Sequence, residues 1–433
     1  MKIHVIGCAG AGMSGVLRYF AEAGDEVSGC DAAASVALQD LRDEGFTVFE
    51  GHDVSHVRDV DVVVASPAVT DDLAERRASK TFWDRATLIA TLAARHRTLA
   101  VAGTHGKTTT TSMLVAIADA AGVDPSWLCG QPVRGIGANG HFAGRDLVLE
   151  TDESFGTFRL VEPEILGVLN VEADHLDYYG TVASMEEAYQ DLARRTTGFV
   201  VAYEGRGATV TRAARPDTVI VGTGVDAAVR VRVDGGTVVL EGLVALRFAP
   251  RVLGAHNVAN AAVAATMASL AGYDHEAITR GLESFVGAPR RFERRRGLPG
   301  RLVIDDYAHL PSEVRTTLQT AADLSRGRVV ALFQPHRVTR TKALAGDFAT
   351  SFAELDALVV CGIYTAGEGP QPGVTGSLIA DAVRASGTVG DVRYVEDRDD
   401  AAKLVASLAL AGDTVVVLGA GDVGDVINYW EGE

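Results

Sequence analysis

The sequence predicts an α/β protein built of three successive units in which buried strands alternate with helices. Three observations carry that expectation. The chain has 433 residues, too many for one ordinary core and, at roughly 150 residues per domain, enough for about three. Two apolar strands each run into a glycine-rich turn and then a helix, the opening of a βαβ series. A further series starts after the turn Gly287-Ala288-Pro289-Arg290-Arg291.

The first unit, 1–97, opens with a predicted strand at 2–6, a turn from Gly7 to Gly15 and an amphipathic helix through Ala23. Short apolar runs at 26–29, 47–49 and 61–65 read as parallel strands, the last ending at Ser66-Pro67. The second unit, 98–287, repeats the opening with a strand at 98–102, a turn from Gly103 to Thr108 and a helix at 109–121. Strands follow at 147–149, 165–170 and 199–202, then a β-like insert at 229–240 and an alanine-rich helix at 258–271. In the third unit, 288–433, strands at 302–305, 329–333, 357–360, 392–395 and 414–418 alternate with helices.

Composition narrows the function classes. Hydrophobic residues make up 47% and charged residues 22%, which excludes a disordered, collagen-like or coiled-coil chain. Every apolar run is broken before the roughly 18 residues that span a bilayer. The N-terminus has no apolar signal region, so the expectation is a cytoplasmic protein. Cys8, Cys30, Cys129 and Cys361 are widely spaced and form no C-x-x-C pair, which speaks against a zinc cluster or a disulfide framework. The formal net charge is −17, so nucleic acid and anionic membranes are unfavourable partners and any bound phosphate needs a local site. Lysine is scarce, occurring only at Lys2, Lys80, Lys107, Lys342 and Lys403.

One of those lysines lies in Gly103-Thr104-His105-Gly106-Lys107-Thr108-Thr109, between a strand and a helix. There, backbone N–H groups and a helix N-terminus cradle phosphate, and Lys107 would face the β- and γ-phosphates. The N-terminal Gly10-x-Gly12-x-x-Gly15, with Asp31 some twenty residues on, fits a diphosphate-binding turn; Ala11, Met13 and Ser14 fall within it. Carboxylates at 150, 152 and 153, and Glu172, Asp174 and His175, cluster at two predicted strand ends. Beside a phosphate loop they suit Mg²⁺ at a γ-phosphate. Asn257 and Asn260 open the alanine-rich helix, where they could bond a base edge. Two more strand ends carry Asp306 and His309, and His336, Arg337 and Arg340, polar groups placed where open α/β sheets bind ligands.

In this order the motifs resemble the Mur ligase family over the whole chain. The segments that carry the resemblance are 10–15, 103–111, 170–177, 256–260, 305–309, 333–337 and 419–422. It implies a Rossmann-like N-terminal domain for the UDP part of a substrate, a central P-loop ATPase domain, and a C-terminal dinucleotide-fold-like domain that closes over the site. The implied reaction uses ATP to phosphorylate the carboxylate of UDP-N-acetylmuramate; the amine of L-alanine then displaces phosphate. By matching position, Lys107 contacts phosphates, Thr108, Glu150 and His175 serve Mg²⁺, and Asn257 and Asn260 face adenine. Arg291, Asp306, His309, His336, Arg337 and Arg340 approach substrate or phosphate. The protein is expected to act as a monomer or homodimer. Several relatives carry a carbamoylated lysine after the segment matching Asp174-His175; the absence of any lysine between Lys107 and Lys342 favours the alanine-adding type. Where the family has a second aspartate this chain has Phe155, expected either at the cleft wall or in the core. The alternatives are a ligase of the same family with another acceptor amino acid or sugar nucleotide, a nicotinamide-dependent oxidoreductase, resting on the first glycine turn, and an inactive nucleotide-binding paralogue.

Overall fold

The computed structural model describes residues 1–66, 69, 73–252 and 254–431, and leaves out the side chain of Asp177. Pro67 and the Asp177 side chain therefore lie outside the described residues. The chain forms two compact units, Met1–Val252 with His256–Ala288, and a second built from Pro289–Glu433. No described helix is long and apolar enough to cross a membrane.

The first unit holds two sheets. The smaller contains β1 (Lys2–Ile6), β2 (Glu26–Asp31), β3 (Thr47–Glu50), β4 (Val62–Ala65) and β5 (Phe82–Trp83), all parallel, in the order β3-β2-β1-β4-β5. β4 is buried along its whole length and β1 after its first residue, as parallel strands covered on both faces require. The helix Ala11–Glu22 presents Met13, Val16, Leu17 and Phe20 to the core.

The larger sheet has ten strands: β6 (Arg97–Ala102), β7 (Ser126–Leu128), β8 (Gly140–His141), β9 (Asp146–Glu150), β10 (Ile165–Val168), β11 (Phe199–Tyr203), β12 (Val219–Gly222), β13 (Val229–Asp234), β14 (Thr237–Gly242) and β15 (Leu246–Phe248). The pairings β9-β6-β10 are parallel, so the C-terminal ends carrying Gly103, Thr151 and Leu169 are neighbours. That adjacency builds the site. The β-like insert of the sequence is an antiparallel meander, β13 to β15, that extends the sheet. Core residues of both sheets, among them Val5 of β1 and Leu149 of β9, belong to one hydrophobic cluster.

In the second unit, β16 (Glu293–Arg295), β17 (Leu302–Asp306), β18 (Val329–Phe333), β19 (Ala357–Val360), β20 (Asp391–Tyr394) and β21 (Thr414–Leu418) pair in the order β16-β17-β21-β18-β19-β20. Only β16 runs antiparallel. β21 separates β17 from β18, so the Gly419–Asp422 turn lies between the strand ends that bear Asp306 and Gln334.

Candidate active site

The turn after β6 is held open by its neighbours. Asn170 accepts from the His105 amide at 2.8 Å and donates to the His105 carbonyl at 3.1 Å. The Glu172 amide donates to Thr104 Oγ1 at 2.9 Å, and His105 Nε2 lies 3.2 Å from the Glu172 carboxylate. Gly106 has φ of 82°, and a Cβ there would stand 2.6 Å from Asn260 Oδ1. Glycine is thus required both by the backbone and by the close approach of the helix Ala255–Leu270. The helix Lys107–Ala120 begins at the next residue and leaves its first amides directed at the turn.

Lys107 donates to Glu153 Oε1 and Oε2 at 3.0 and 2.8 Å and to the Gly103 carbonyl at 2.7 Å. Burial works against the ammonium, but Glu153 and Asp152 outweigh it and hold Lys107 charged, above the ordinary lysine value. Glu153 is 1% exposed; burial raises its carboxyl, and Lys107 opposes the rise. Sequence reasoning named the Glu150–Glu153 cluster without singling out Glu153, because spacing does not show which of several nearby carboxylates turns inward.

Thr108 and Glu150 do come together: the Thr108 hydroxyl donates to Glu150 Oε1 at 3.1 Å. The other Glu150 oxygen accepts from the Gly130 amide at 2.6 Å and faces the Cys129 thiol at 3.4 Å. His175, at φ of 50°, instead joins Asp152 and Glu153, the three offering ligand atoms within 4.8 Å of one another. The hard oxygens of Thr108 and Glu150, beside a lysine-bearing turn, fit Mg²⁺ and a nucleotide phosphate. Asn257 and Asn260 are buried at the start of their helix.

The N-terminal glycine turn packs on the larger sheet. Asn139 Nδ2 donates to the Ala11 carbonyl and to Ser14 Oγ, the latter at 2.9 Å, while Arg18 donates to Asn139 Oδ1 at 2.6 Å. The Arg85 guanidinium lies against Gly12 and 3.9 Å from the Met13 sulfur. Asp31 ties the turn down by accepting from the Ala9 amide at 3.0 Å and the Ala32 amide at 2.8 Å. A cleft of about 170 Å³ opens nearby, lined by Ser66, Arg76, Asp84, Arg85, Phe155 and Arg159 among others. Phe155 is 46% exposed, which places it at the cleft wall and removes the core alternative. Arg85 and Asn139 were not legible in the sequence.

In the second unit, His309 and His336 meet edge to face with ring centroids 5.4 Å apart, and His336 stacks on Tyr364. Arg340 Nη1 lies 3.1 Å from His336 Nδ1. Burial, then His309 and Arg340, push His336 down to about 3, so its ring is neutral. Arg291 lies over the Tyr307 ring at 4.9 Å, and Arg337 donates to Glu368 at 2.6 Å. Asp306 accepts from the Phe292 and Ala308 amides and from Thr317, at 2.6, 2.8 and 3.1 Å. Burial raises its carboxyl to about 6. With these donors in place, Asp306 fixes the backbone on which Arg291 and His309 stand.

Fold and site together define an α/β phosphate-loop protein. Family models described as "Mur ligase family, catalytic domain", "Mur ligase middle domain" and "Mur ligase, glutamate ligase domain" match residues 2–97, 101–268 and 290–421. The chain belongs to the Mur ligase family. It is 39% identical to the UDP-N-acetylmuramate–L-alanine ligase of Cutibacterium acnes, over 97% of this chain and 93% of that protein. Its identity to the enzyme of the same name from Kineococcus radiotolerans is 41%, covering 98% and 94%. The crystal structure of UDP-N-acetylmuramate–alanine ligase from Thermotoga maritima superposes with a TM-score of 0.83 at 27% identity, covering 99% of this chain and 98% of that one.

Proposed function

We propose that this protein is an ATP-dependent carboxylate–amine ligase that joins L-alanine to UDP-N-acetylmuramate in peptidoglycan precursor synthesis. A carboxylate oxygen of the muramyl group takes the γ-phosphoryl of ATP, releasing ADP. The amine of L-alanine then attacks the acyl phosphate, the amide bond forms, and phosphate leaves with a proton going to solvent. The near-full-length identity to ligases of this name supports the substrates. The observation that carries the chemistry is Lys107, placed at a helix start between the Gly103 carbonyl and a buried carboxylate.

In this reading the Gly103–Thr109 amides and Lys107 bind phosphate oxygens, and Asn257 and Asn260 serve the adenine. Thr108 and Glu150 would hold Mg²⁺, whose charge would offset that of the transferring phosphoryl group, and His175, grouped with Asp152 and Glu153, would serve the metal from that side. The 10–14 turn with Asp31 receives the UDP diphosphate. The His309, His336, Arg337 and Arg340 group, with Arg291, supplies donors for phosphate or carboxylate. A cytoplasmic location, where ATP is made, and action as a monomer or homodimer accompany this reading. The nicotinamide alternative leaves the Lys107–Glu153 pair and the Thr108–Glu150 contact without a task.

The test is phosphate release with ATP and Mg²⁺, screened over UDP-N-acetylmuramate plus single amino acids, with NAD(P)H absorbance followed in parallel. Release that depends on L-alanine and on the sugar nucleotide is expected. Nicotinamide turnover, or phosphate release indifferent to the amino acid, would contradict the reading.

A further inference from the structure

The smaller sheet contains a buried group of side chains that the ligase reaction does not use. His4 on β1 and Cys30 on β2 are both fully buried, and so is Glu75 in the short helix Ala74–Ala78. His56, from the 3-10 turn Val54–Val57, completes the set. His4 Nε2 lies 3.3 Å from Cys30 Sγ, Cys30 Sγ 3.6 Å from Glu75 Oε1, and Glu75 Oε1 2.9 Å from His56 Nδ1. One ligand atom from each of the four falls within 4.8 Å of all the others.

A tetrahedral zinc ion with bonds of about 2.0–2.3 Å sets neighbouring N, O and S ligands roughly 3.3–3.7 Å apart. The observed separations already approach that pattern. We propose that His4, Cys30, His56 and Glu75 form a structural binding site for a thiophilic divalent cation of the zinc type.

Three features beyond the spacing support it. A thiolate and a carboxylate together cancel a dication, so the filled site is neutral and suited to complete burial. Both imidazoles are held in place from outside: His4 Nδ1 lies 2.8 Å from the Ser28 hydroxyl, and Phe49 stacks on His56 at 4.2 Å. Such outer contacts orient metal-bound histidines. Glu75 Oε2 is buried without a hydrogen bond of good geometry, although His52 Nδ1 stands 3.0 Å away. The absence of a C-x-x-C pair pointed away from zinc; the ligands come from four separate elements, which no local spacing reveals. A bound ion would tie β1 and β2 to the Ala74–Ala78 helix. Binding converts the Cys30 thiol to thiolate, and its proton passes to the buffer.

The test uses the full chain, stripped with chelator and titrated with Co²⁺ and then Zn²⁺ in buffer free of Mg²⁺ and nucleotide. Expected are one equivalent of tightly bound cobalt, a thiolate-to-cobalt charge-transfer band, the strong visible bands of tetrahedral coordination, and displacement by zinc. Cys30→Ser should abolish the charge-transfer band, whereas Cys8→Ser and Cys129→Ser should keep it. His56→Gln should weaken zinc binding at least about tenfold; because His56 is partly exposed, this variant decides the matter if Cys30→Ser does not fold. A missing thiolate band at stoichiometric cobalt, a band that survives Cys30→Ser, or one lost in Cys129→Ser would overturn the proposal. The readout is independent of ligase activity, so it stands or falls apart from the proposed function.

Discussion

Replacing Lys107 by methionine tests whether this lysine, proposed to bind phosphate, is also a structural charge. Its ammonium lies 2.8 and 3.0 Å from the oxygens of Glu153, whose side chain is 1% exposed. Removing one member of a buried, hydrogen-bonded pair leaves the other uncompensated and costs about 3–5 kcal/mol. With a denaturant slope of about 3 kcal/mol per M, the first unit should unfold roughly 1 M earlier in urea. Adding Glu153→Gln removes the stranded charge and should recover most of that loss. On the proposed function catalysis behaves differently, because no ammonium would then face the γ-phosphoryl group: both variants should release phosphate about 10²-fold more slowly or worse. The pH dependence has a definite sign. Burial raises the folded Glu153 carboxyl above its ordinary value of 4.5, and loss of Lys107 raises it further. A raised carboxyl favours the folded state below its unfolded value and loses that stability as pH rises through its folded value. The Lys107→Met deficit should therefore be smallest in acid and grow toward neutral pH. Wild-type urea stability in Lys107→Met, or phosphate release restored in the double variant, would refute the reasoning.

Phe155→Asp should leave the melting temperature nearly unchanged, since the ring is half exposed and aspartate accepts its positive φ. Its KM for the amino acid should shift while that for ATP does not; a large loss of stability with unchanged kinetics would disprove the cleft-wall placement. Gly15→Ala would set a Cβ 2.8 Å from the Asn139 carbonyl oxygen, a backbone atom that cannot swing aside. We expect a loss of about 1–3 kcal/mol and a higher KM for the sugar nucleotide, measured by urea unfolding and steady-state kinetics. Glu150→Gln and His175→Ala should both raise the Mg²⁺ concentration needed for half-maximal rate. An unchanged metal titration in His175→Ala, with the amine-attack step lost, would make His175 a base instead.

The sequence disclosed those parts of the site that one strand and its following turn contain. Gly103–Thr109, Glu150 and Asn170–His175 are each local, and alternation of strands with helices already placed them at strand ends. Less visible were partners that meet only through the fold. Asn139 reaches Ala11 and Ser14 from far along the chain, and Arg85 settles on Gly12, with no local pattern to announce either. The strands Ser126–Leu128 and Gly140–His141 are short and carry polar residues, so no alternation marks them. Val219–Gly222 was missed for the same reason of length. Asn170, which bonds both the amide and the carbonyl of His105, and Glu172, read as part of a metal set, both brace the turn after β6. Asp306, expected to approach substrate or phosphate, has its carboxylate engaged by two backbone amides and Thr317, contacts that depend on how Phe292 returns beside β17.

The acyl-phosphate route is tested most directly by following the substrate's carboxylate oxygen. UDP-N-acetylmuramate labelled with heavy oxygen in that carboxylate, incubated with ATP, Mg²⁺ and L-alanine, should yield ADP and inorganic phosphate carrying one labelled oxygen per amide formed. Label appearing in AMP, or phosphate released without label while the amide accumulates, would contradict it.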